Sequence, residues 1–287
     1  MKQELTLHNG IAIPALGFGT WCIENDRAAE AVRTALACGY RHIDTAQAYG
    51  NEEGVGRGVR ESGLPREEIF VVSKVAAEHK TYEAAARSID ETLEKTGLSY
   101  LDMMLIHSPQ PWAEFRGEKR YFEENQAVWR ALEDAHAAGK LRTIGVSNFL
   151  RDDLESLLPV CRVRPAVNQV LAHIGNVPEV VVSFCHGQDI AIEAYSPIAH
   201  GEALKNDDIL RMAGKYGVSA AQLCIRYALQ RGFIALPKAT SAAHIRENAM
   251  VDFSLSEEDM HTLTALHFRD YGAYSYFPVF SGKRGAP

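Results

Sequence analysis

The chain alternates short β-rich runs with longer segments of helical period, and eight such runs occur within its 287 residues. The runs are almost continuously apolar, which is typical of parallel strands buried on both faces, because each crossover helix covers one face of the sheet. Eight strand–helix units of this length close most economically as a (β/α)8 TIM barrel. The predicted strands are 15–20, 40–45, 69–74, 101–107, 141–148, 165–170, 189–196 and 233–238. The predicted helices are 27–38, 51–62, 81–96, 122–139, 151–158, 177–186 and 207–216.

An open doubly wound sheet is the competing fold. It would normally carry G-x-G-x-x-G after its first strand, and "GFGTWC" does not fit that pattern. "GVGRG" at 54–58 has the wrong spacing and lies within a predicted helix. The length suits a single barrel domain over 1–287. Before the barrel, Asn9-Gly10 predicts a β-hairpin with a two-residue turn and positive φ at both positions.

Charge and composition exclude several classes of protein. A net charge of -7 and a pI near 5.9 argue against binding to nucleic acid, which needs a basic surface. We find no signal peptide and no stretch of about eighteen apolar residues, so we expect no membrane span. Five cysteines without a CxxC pair fit a reducing compartment, and we expect a cytoplasmic protein without a metal site.

Polar residues close nearly every predicted strand. Barrel enzymes build their sites at the C-terminal ends of the strands, so these positions are the first candidates for function. Each has an ordinary structural explanation when taken alone: a cap for Asp44, a solvated strand end for Lys74, and a satisfied core histidine for His107. Eight coincidences at one barrel rim are harder to accept. The set is Gly19, Thr20, Asp44, Lys74, His107, Ser147, Asn148, Gln169, Tyr195, Ser196 and Lys238.

Asp44, Tyr49, Lys74 and His107 make chemical sense as one group. A phenol with a pKa of about 10 is a poor proton donor near neutrality. An ammonium within roughly 4–6 Å lowers a phenol pKa by about 1–3 units, and we expect Lys74 to act on Tyr49 in this way. Asp44 would pair with Lys74, and His107 would orient a substrate oxygen. Such a group could protonate a developing alkoxide during carbonyl reduction.

The chain resembles the aldo-keto reductase superfamily from the hairpin to about residue 268. The likeness is greatest to bacterial 2,5-diketogluconate or general aldehyde reductases. It is carried, in order and spacing, by the stretches "GFGTW", "GYRHIDTAQAYGNEEGVG", "VVSK", "LIHSP", "IGVSNF", "PAVNQV", "AYSPIAHG" and "LPKATSAAHIREN". The resemblance implies a (β/α)8 fold, an extended NADPH cofactor bound without a Rossmann domain, and Tyr49 as the general acid of a tetrad with Asp44, Lys74 and His107.

The resemblance also implies contacts for the cofactor and the substrate. Ser147, Asn148 and Gln169 would bind the nicotinamide carboxamide, and Tyr195 would stack on the ring. Trp21, Tyr49 and His107 would contact the substrate, and Trp112, in the aromatic segment 108–125, is a further candidate for substrate contact. Asp44 would also contact the cofactor. The remaining cofactor contacts implied are Gly19 and Thr20 along the channel, Ser196, Pro197 and Ile198 near the pyrophosphate, and Lys238, Ala239, Thr240, His244 and Asn248 around the adenosine phosphate.

The phosphate end departs from the family pattern. Relatives commonly have Lys-Ser after the last strand and an Arg six residues beyond the Lys, where this chain has Ala239 and His244. Ala239 lacks a hydroxyl, and an imidazole is mostly neutral at pH 7 where a guanidinium is charged. We therefore expect a weakened preference for NADPH, with use of NADH as well. Leu171 also replaces a Glu that relatives often carry.

The segments 108–125 and 271–287 are rich in aromatic residues and lack helical or strand period. Over a barrel rim they could form the substrate pocket, the second as a C-terminal substrate loop, or could simply pin the loops to the barrel. Arg116, Lys119 and Arg120 fit a solvated charge cluster better than an anion site.

Two other functions stay open from the residues alone. A Schiff-base aldolase would use Lys74 as its nucleophile. A cofactor-bound regulatory barrel would show little turnover. We favour a reductase of small carbonyl compounds that acts as a monomer.

Overall fold

Eight parallel strands form the centre of the computed structural model, which describes residues 4–281. They are β3 (Phe18–Gly19), β4 (His42–Asp44), β5 (Phe70–Val75), β6 (Leu101–Ile106), β7 (Leu141–Ser147), β8 (Val167–Leu171), β9 (Ala191–Tyr195) and β10 (Ile234–Leu236). Each strand pairs with its neighbour in chain order, from β3 through to β10. The order is the one produced by repeated strand–helix–strand crossovers.

The sheet closes on itself between its first and last strands. Leu16 pairs in parallel with Ala235 just before β3 begins. The amide of Gly19 donates to the carbonyl of Pro237 at 3.0 Å. The predicted (β/α)8 barrel is therefore confirmed, and closure leaves the eight strands without a free edge.

Helices surround the barrel and cover its outer face. They are α1 (Asn25–Ala37), α2 (Glu52–Arg60), α3 (Tyr82–Thr96), α4 (Phe122–Ala137), α5 (Arg151–Leu157), α6 (Glu179–Gly187), α7 (Asp207–Tyr216), α8 (Ala220–Gln230), α9 (Ala242–Asn248), α10 (Glu257–Thr264) and α11 (Pro278–Ser281). The seven predicted helices correspond to α1–α7. Within residues 4–281, no helix is both long and apolar enough to cross a membrane.

The N-terminal hairpin forms as predicted, but its turn differs. Strands β1 (Glu4–Thr6) and β2 (Ala12–Pro14) pair antiparallel. Leu7 and Ile11 continue the pairing, with the Leu7 amide 2.9 Å from the Ile11 carbonyl, so the loop has three residues and not two. Gly10 has φ of +82°, whereas Asn9 is not in the left-handed region. The expectation of positive φ at both positions was wrong, because a three-residue loop needs only one left-handed residue.

The glycines of "GVGRG" let α2 pack closely against its neighbours. A Cβ on Gly56 would lie 2.1 Å from the carbonyl oxygen of Thr96, at the end of α3. A Cβ on Gly54 would lie 2.2 Å from the carbonyl oxygen of Asn25, at the start of α1. These glycines therefore serve helix packing and not the binding of a phosphate.

Candidate active site

The principal cavity, named so because it holds most of the predicted site residues, lies at the C-terminal ends of the barrel strands and has a volume of about 360 Å³. Polar side chains from the strand ends form its floor, and aromatic side chains form its upper wall. Of the predicted site residues, the structure brings these to the cavity: Gly19, Trp21, Asp44, Tyr49, His107, Trp112, Ser147, Asn148, Gln169, Tyr195, Ser196, Pro197, Ile198 and Lys238.

Lys74 lies beneath the cavity floor and is completely buried. Its ammonium donates to Asp44 Oδ1 at 2.7 Å and to the Thr45 carbonyl at 2.8 Å, and lies 3.4 Å from the Tyr49 hydroxyl. An ammonium has three protons, and these three oxygens take one each. Strand β5 thus supplies a fixed positive charge directly below the tyrosine.

Tyr49 reaches this position because the chain turns sharply after β4. Residues Gln47–Tyr49 form one 3-10 turn, and Gly50 ends it in the left-handed region with φ of +67°. The Lys74 ammonium lies 5.0 Å from the centroid of the Tyr49 ring. The spacing from Asp44 to Tyr49 carries the tyrosine over the rim while the aspartate stays in the sheet.

The pKa of Tyr49 is shifted opposite to the sequence-based expectation. Burial raises it well above 10, and the negative charges that Asp44, Cys22 and Glu193 carry at the high pH where a phenol titrates raise it further. Desolvation of the phenolate therefore outweighs the nearby ammonium. The expected lowering by Lys74 was wrong for the resting protein. A raised pKa keeps the proton on the hydroxyl until a stronger base forms beside it.

His107 closes β6 and contacts both aromatic neighbours in the cavity. Its ring meets Tyr49 edge-on at 5.7 Å and Trp112 at 5.1 Å between centroids. Burial, aided by the charges of Lys74 and Lys80, holds the pKa of His107 well below 6.5. Its Nδ1 atom is buried without a hydrogen-bond partner among the described residues. The ring is therefore neutral and can offer a single proton to an oxygen in the cavity.

Ser147, Asn148 and Tyr195 form a connected polar set on one wall. The Tyr195 hydroxyl donates to Asn148 Oδ1 at 2.7 Å, and Asn148 Nδ2 lies 3.0 Å from Ser147 Oγ. Asn148 adopts the left-handed region with φ of +61°, which turns its amide back toward β6, where it donates to the His107 carbonyl. This wall presents hydroxyl and amide groups beside an aromatic ring.

Gln169 links the wall to the Lys74 cluster. Its amide nitrogen donates to Asp44 Oδ2 at 2.9 Å and to Glu193 Oε2 at 2.8 Å. Glu193 is fully buried inside the barrel, with its Oε1 atom 3.3 Å from His42 Nε2. Sequence reasoning missed both Glu193 and His42. A charged residue two positions before Tyr195 in a buried strand was the available signal, because alternate residues face the same side.

The predicted adenosine-phosphate residues lie apart from the principal cavity, except for Lys238. Ala239 and Asn248 are buried, and His244 and Thr240 are exposed. Thr240 lines a separate cleft of about 140 Å³, opposite α1. Thr20 also does not line the principal cavity, because its side chain is buried and its hydroxyl donates to the Asp44 carbonyl.

The aromatic wall comes from the two segments without periodicity. Trp112 meets Phe277 at 5.1 Å between ring centroids, and Trp21 meets Phe277 at 5.8 Å. Trp112, Tyr274, Phe277 and Phe280 all line the cavity, whereas Phe115 is buried behind Trp112. Segments 108–125 and 271–281 therefore line the cavity and also pack against each other. Residues 282–287 of the predicted C-terminal loop lie outside the described part of the chain.

The cluster of positive charge in segment 108–125 is largely neutralised. Lys119 pairs with Glu124 at 2.8 Å, and Arg120 pairs with Asp153 at 2.7 Å. The Arg116 guanidinium packs over the Phe115 ring at 4.5 Å. Within residues 4–281, no group of three or more His, Cys, Asp or Glu side chains is arranged to hold a metal ion.

Comparisons with known proteins agree with this geometry. The model of the Aldo/keto reductase family matches residues 15–267. Glyoxal reductase of Bacillus subtilis is 42% identical over 269 residues, covering 93% of this chain and 94% of the relative. The structure of the aldose reductase from Schistosoma japonicum superposes with a TM-score of 0.87 at 31% identity, covering 99% of this chain and 98% of the other. A Bombyx mori aldo-keto reductase in complex with NADP gives a TM-score of 0.85 at 30% identity, covering 98% and 99%.

Proposed function

Because the chain belongs to the aldo-keto reductase family, whose members reduce carbonyl compounds with NAD(P)H, we propose that it reduces aldehydes and ketones to alcohols with Tyr49 as the general acid. The observation that carries the proposal is the Tyr49 hydroxyl at the cavity floor, 3.4 Å from the buried Lys74 ammonium. The substrate is a small carbonyl compound, and the reaction belongs to the oxidoreductases acting on alcohol groups.

The cavity residues fit a nicotinamide cofactor. Hydroxyl and amide groups of Ser147, Asn148 and Gln169 suit a carboxamide, and Tyr195 offers a ring on which the nicotinamide could stack. Lys238, at the end of β10, suits a phosphate. NADPH bound in this way supplies the hydride.

Tyr49, Lys74 and His107 have separate roles in the proposed step. The neutral His107 donates a hydrogen bond to the carbonyl oxygen and orients it. The alkoxide that develops is a far stronger base than a phenolate, so it takes the Tyr49 proton despite the raised pKa. The Lys74 ammonium then stabilises the phenolate. Asp44 holds Lys74 in place through its ion pair.

The two alternative functions receive no support. A Schiff base on Lys74 requires an accessible neutral amine, whereas this side chain is fully buried and its protons meet three oxygens. A regulatory barrel without turnover would not require the proton donor and its charge partner to be assembled at the cavity floor.

Tyr49→Phe tests the general acid. We expect kcat for aldehyde reduction to fall by roughly 10²–10⁴. NADPH affinity, measured by quenching of protein fluorescence, should change less than about twofold, because the ring stays in place. Tyr82→Phe is the matched control, since the Tyr82 hydroxyl contacts Asp134 on α4, outside the cavity. Full reductase activity in Tyr49→Phe would refute the mechanism.

The residues predicted around the adenosine phosphate support weak discrimination between NADPH and NADH. Charge-assisted hydrogen bonds contribute about 1.5–3 kcal/mol, so His244→Arg should raise the ratio of kcat/KM for NADPH over NADH by roughly tenfold. Lys238→Ala should lower the same ratio. A strong NADPH preference in the wild-type protein that Lys238→Ala leaves unchanged would contradict this assignment.

We further propose that residues 1–287 form one domain that acts as a monomer in the cytoplasm. The five cysteines are all free, which fits a reducing compartment. Analytical ultracentrifugation at micromolar protein concentration tests whether the protein is a monomer.

A further inference from the structure

Glu193 is an acidic side chain completely buried in the interior of the barrel. It lies on β9 in register with Gln169 on β8, so the two side chains are neighbours in one layer of the barrel interior. Its two carboxyl oxygens have different surroundings: Oε2 accepts a hydrogen bond from Gln169 Nε2 at 2.8 Å, whereas Oε1 lies 3.3 Å from His42 Nε2 without a hydrogen bond among the described residues. A buried carboxyl group with two defined neighbours calls for a physical explanation.

His42 determines where the proton of this group lies. Its Nδ1 atom is 3.2 Å from the Pro14 carbonyl, which can only accept, so Nδ1 carries the hydrogen. Burial holds the pKa of His42 at about 4, so the ring is neutral and Nε2 is an acceptor. Glu193 Oε1 faces this acceptor at 3.3 Å, and neither atom has a hydrogen-bond partner among the described residues. Two acceptor atoms that face each other in a dry interior repel, so we place a proton on Glu193 Oε1, which makes Glu193 a neutral acid.

The Gln169 amide is then held at two points. The Asp44 carboxylate accepts from the Lys74 ammonium through Oδ1, so the Gln169 atom beside Asp44 Oδ2 must be the nitrogen. The unprotonated Glu193 oxygen accepts the second hydrogen of the same nitrogen. Two acceptors fix the plane of the amide as well as its direction. The side-chain oxygen of Gln169, Oε1, is left to accept from a ligand in the cavity that this residue lines.

We propose that Glu193 is a positioning residue that, through the hydrogen bond from Gln169 to its Oε2 atom, orients the Gln169 amide so that Gln169 Oε1 accepts a hydrogen bond from the nicotinamide carboxamide. This inference rests on the proposed function. It adds Glu193 to the hydrogen bonds that hold the Gln169 amide, beside the one that Gln169 makes to Asp44 in the Lys74 cluster.

The test compares two ligands, NADP⁺ and its 3-acetylpyridine analogue, in which a methyl replaces the carboxamide NH₂. The analogue cannot donate to Gln169. Dissociation constants come from quenching of protein fluorescence, independently of turnover. We expect the wild-type protein to bind NADP⁺ about tenfold more tightly than the analogue.

Two substitutions separate positioning from general packing. Glu193→Gln keeps the contact with Gln169, because its side-chain carbonyl can accept from Gln169 Nε2 while its NH₂ faces His42 Nε2, so it should retain the wild-type ratio. Glu193→Leu removes both contacts at similar volume and should weaken NADP⁺ binding about tenfold while barely affecting the analogue. If the leucine variant does not fold, Glu193→Asp replaces it. Its shorter side chain cannot contact both Gln169 and His42, so the ratio of the two dissociation constants should fall in the same way.

The outcomes distinguish the positioning role from the proposed function. If Glu193→Leu and Glu193→Asp keep the wild-type ratio, or if they weaken both ligands equally, the positioning role is overturned while the proposed function stands. If the wild-type protein binds neither ligand, the proposed function fails and the inference fails with it. If the wild-type protein binds both ligands equally tightly, the carboxamide contact of Gln169 is refuted, and the inference with it.

Discussion

The buried carboxyl group of Glu193 should make stability depend on pH. Burial, with the charge of Asp44, raises its pKa from 4.5 to about 8, against smaller lowering by the Gln169 hydrogen bond and Lys74. The folded protein thus keeps a proton that the unfolded chain releases above about pH 4.5. The stability contributed by this proton is complete at low pH and is lost as pH rises toward 8.

Glu193→Gln should remove this dependence. The free energy of unfolding of the variant minus that of the wild-type protein should increase as pH rises from about 5 to 8, by at most about 1.4 kcal/mol per pH unit. Urea denaturation at three pH values in this window measures it. The other charged or titratable groups around the site, His42, Asp44, Tyr49, Lys74 and Asp102, are present in both proteins and largely cancel. A difference that does not vary with pH would contradict the assignment.

Sequence reasoning at this scale located residues better than it described their environments. The ends of the apolar runs pointed to Asp44, Lys74 and His107, because parallel strands in a barrel end at one rim. The direction of the Tyr49 pKa shift could not be predicted, since it depends on how much water the folded mouth excludes. Glu193 lies two residues before the end of its strand, so the pattern of polar strand ends does not include it, whereas the alternation of side chains along the strand does.

At the scale of elements, the close contact between α2 and α3 depends on a missing side chain. Gly56→Ala would place a Cβ about 2.1 Å from the Thr96 carbonyl, so the helices must separate. We expect a loss of about 1–3 kcal/mol in the free energy of unfolding, measured by urea denaturation. Gly214→Ala on α7 is the matched control, because a Cβ added there would meet no atom within 4 Å beyond its own helix backbone and chain neighbours. It should be neutral or stabilising by up to about 1 kcal/mol. Equal effects of the two substitutions would refute the packing role.

The helices and strands lie close to the positions predicted from hydrophobic periodicity, whereas the hairpin turn differs from its prediction. The hairpin turn depended on where Leu7 and Ile11 pair, which the Asn9-Gly10 dipeptide does not determine. Helix α8 was overlooked although Ser219 and Gln222 carry a capping box, with the Ser219 amide donating to Gln222 Oε1 at 2.9 Å. That signal was local and could have been found.

At the scale of the whole molecule, the barrel mouth joins segments distant in sequence. Three aromatic rings meet there: Trp21 from the loop after β3, Trp112 from the segment after β6, and Phe277 from the C-terminal segment. Such contacts follow from the closure of the barrel and leave no periodic trace in the sequence. The aromatic content of 108–125 and 271–287 indicated a wall, but the pairing of its rings required the fold.

Phe277 allows this wall to be tested. Phe277→Ala removes ring contacts with Trp21, Trp112 and Phe280, and aromatic pairs contribute about 0.5–1.5 kcal/mol each. We expect kcat/KM for benzaldehyde to fall roughly tenfold while kcat/KM for propanal changes less than about threefold. NADPH affinity should not change, because the polar wall is untouched. Tyr276→Ala is the control, since the neighbouring Tyr276 is 63% exposed. If both variants kept wild-type kcat/KM for benzaldehyde, the C-terminal segment would cover the cavity without contacting the substrate.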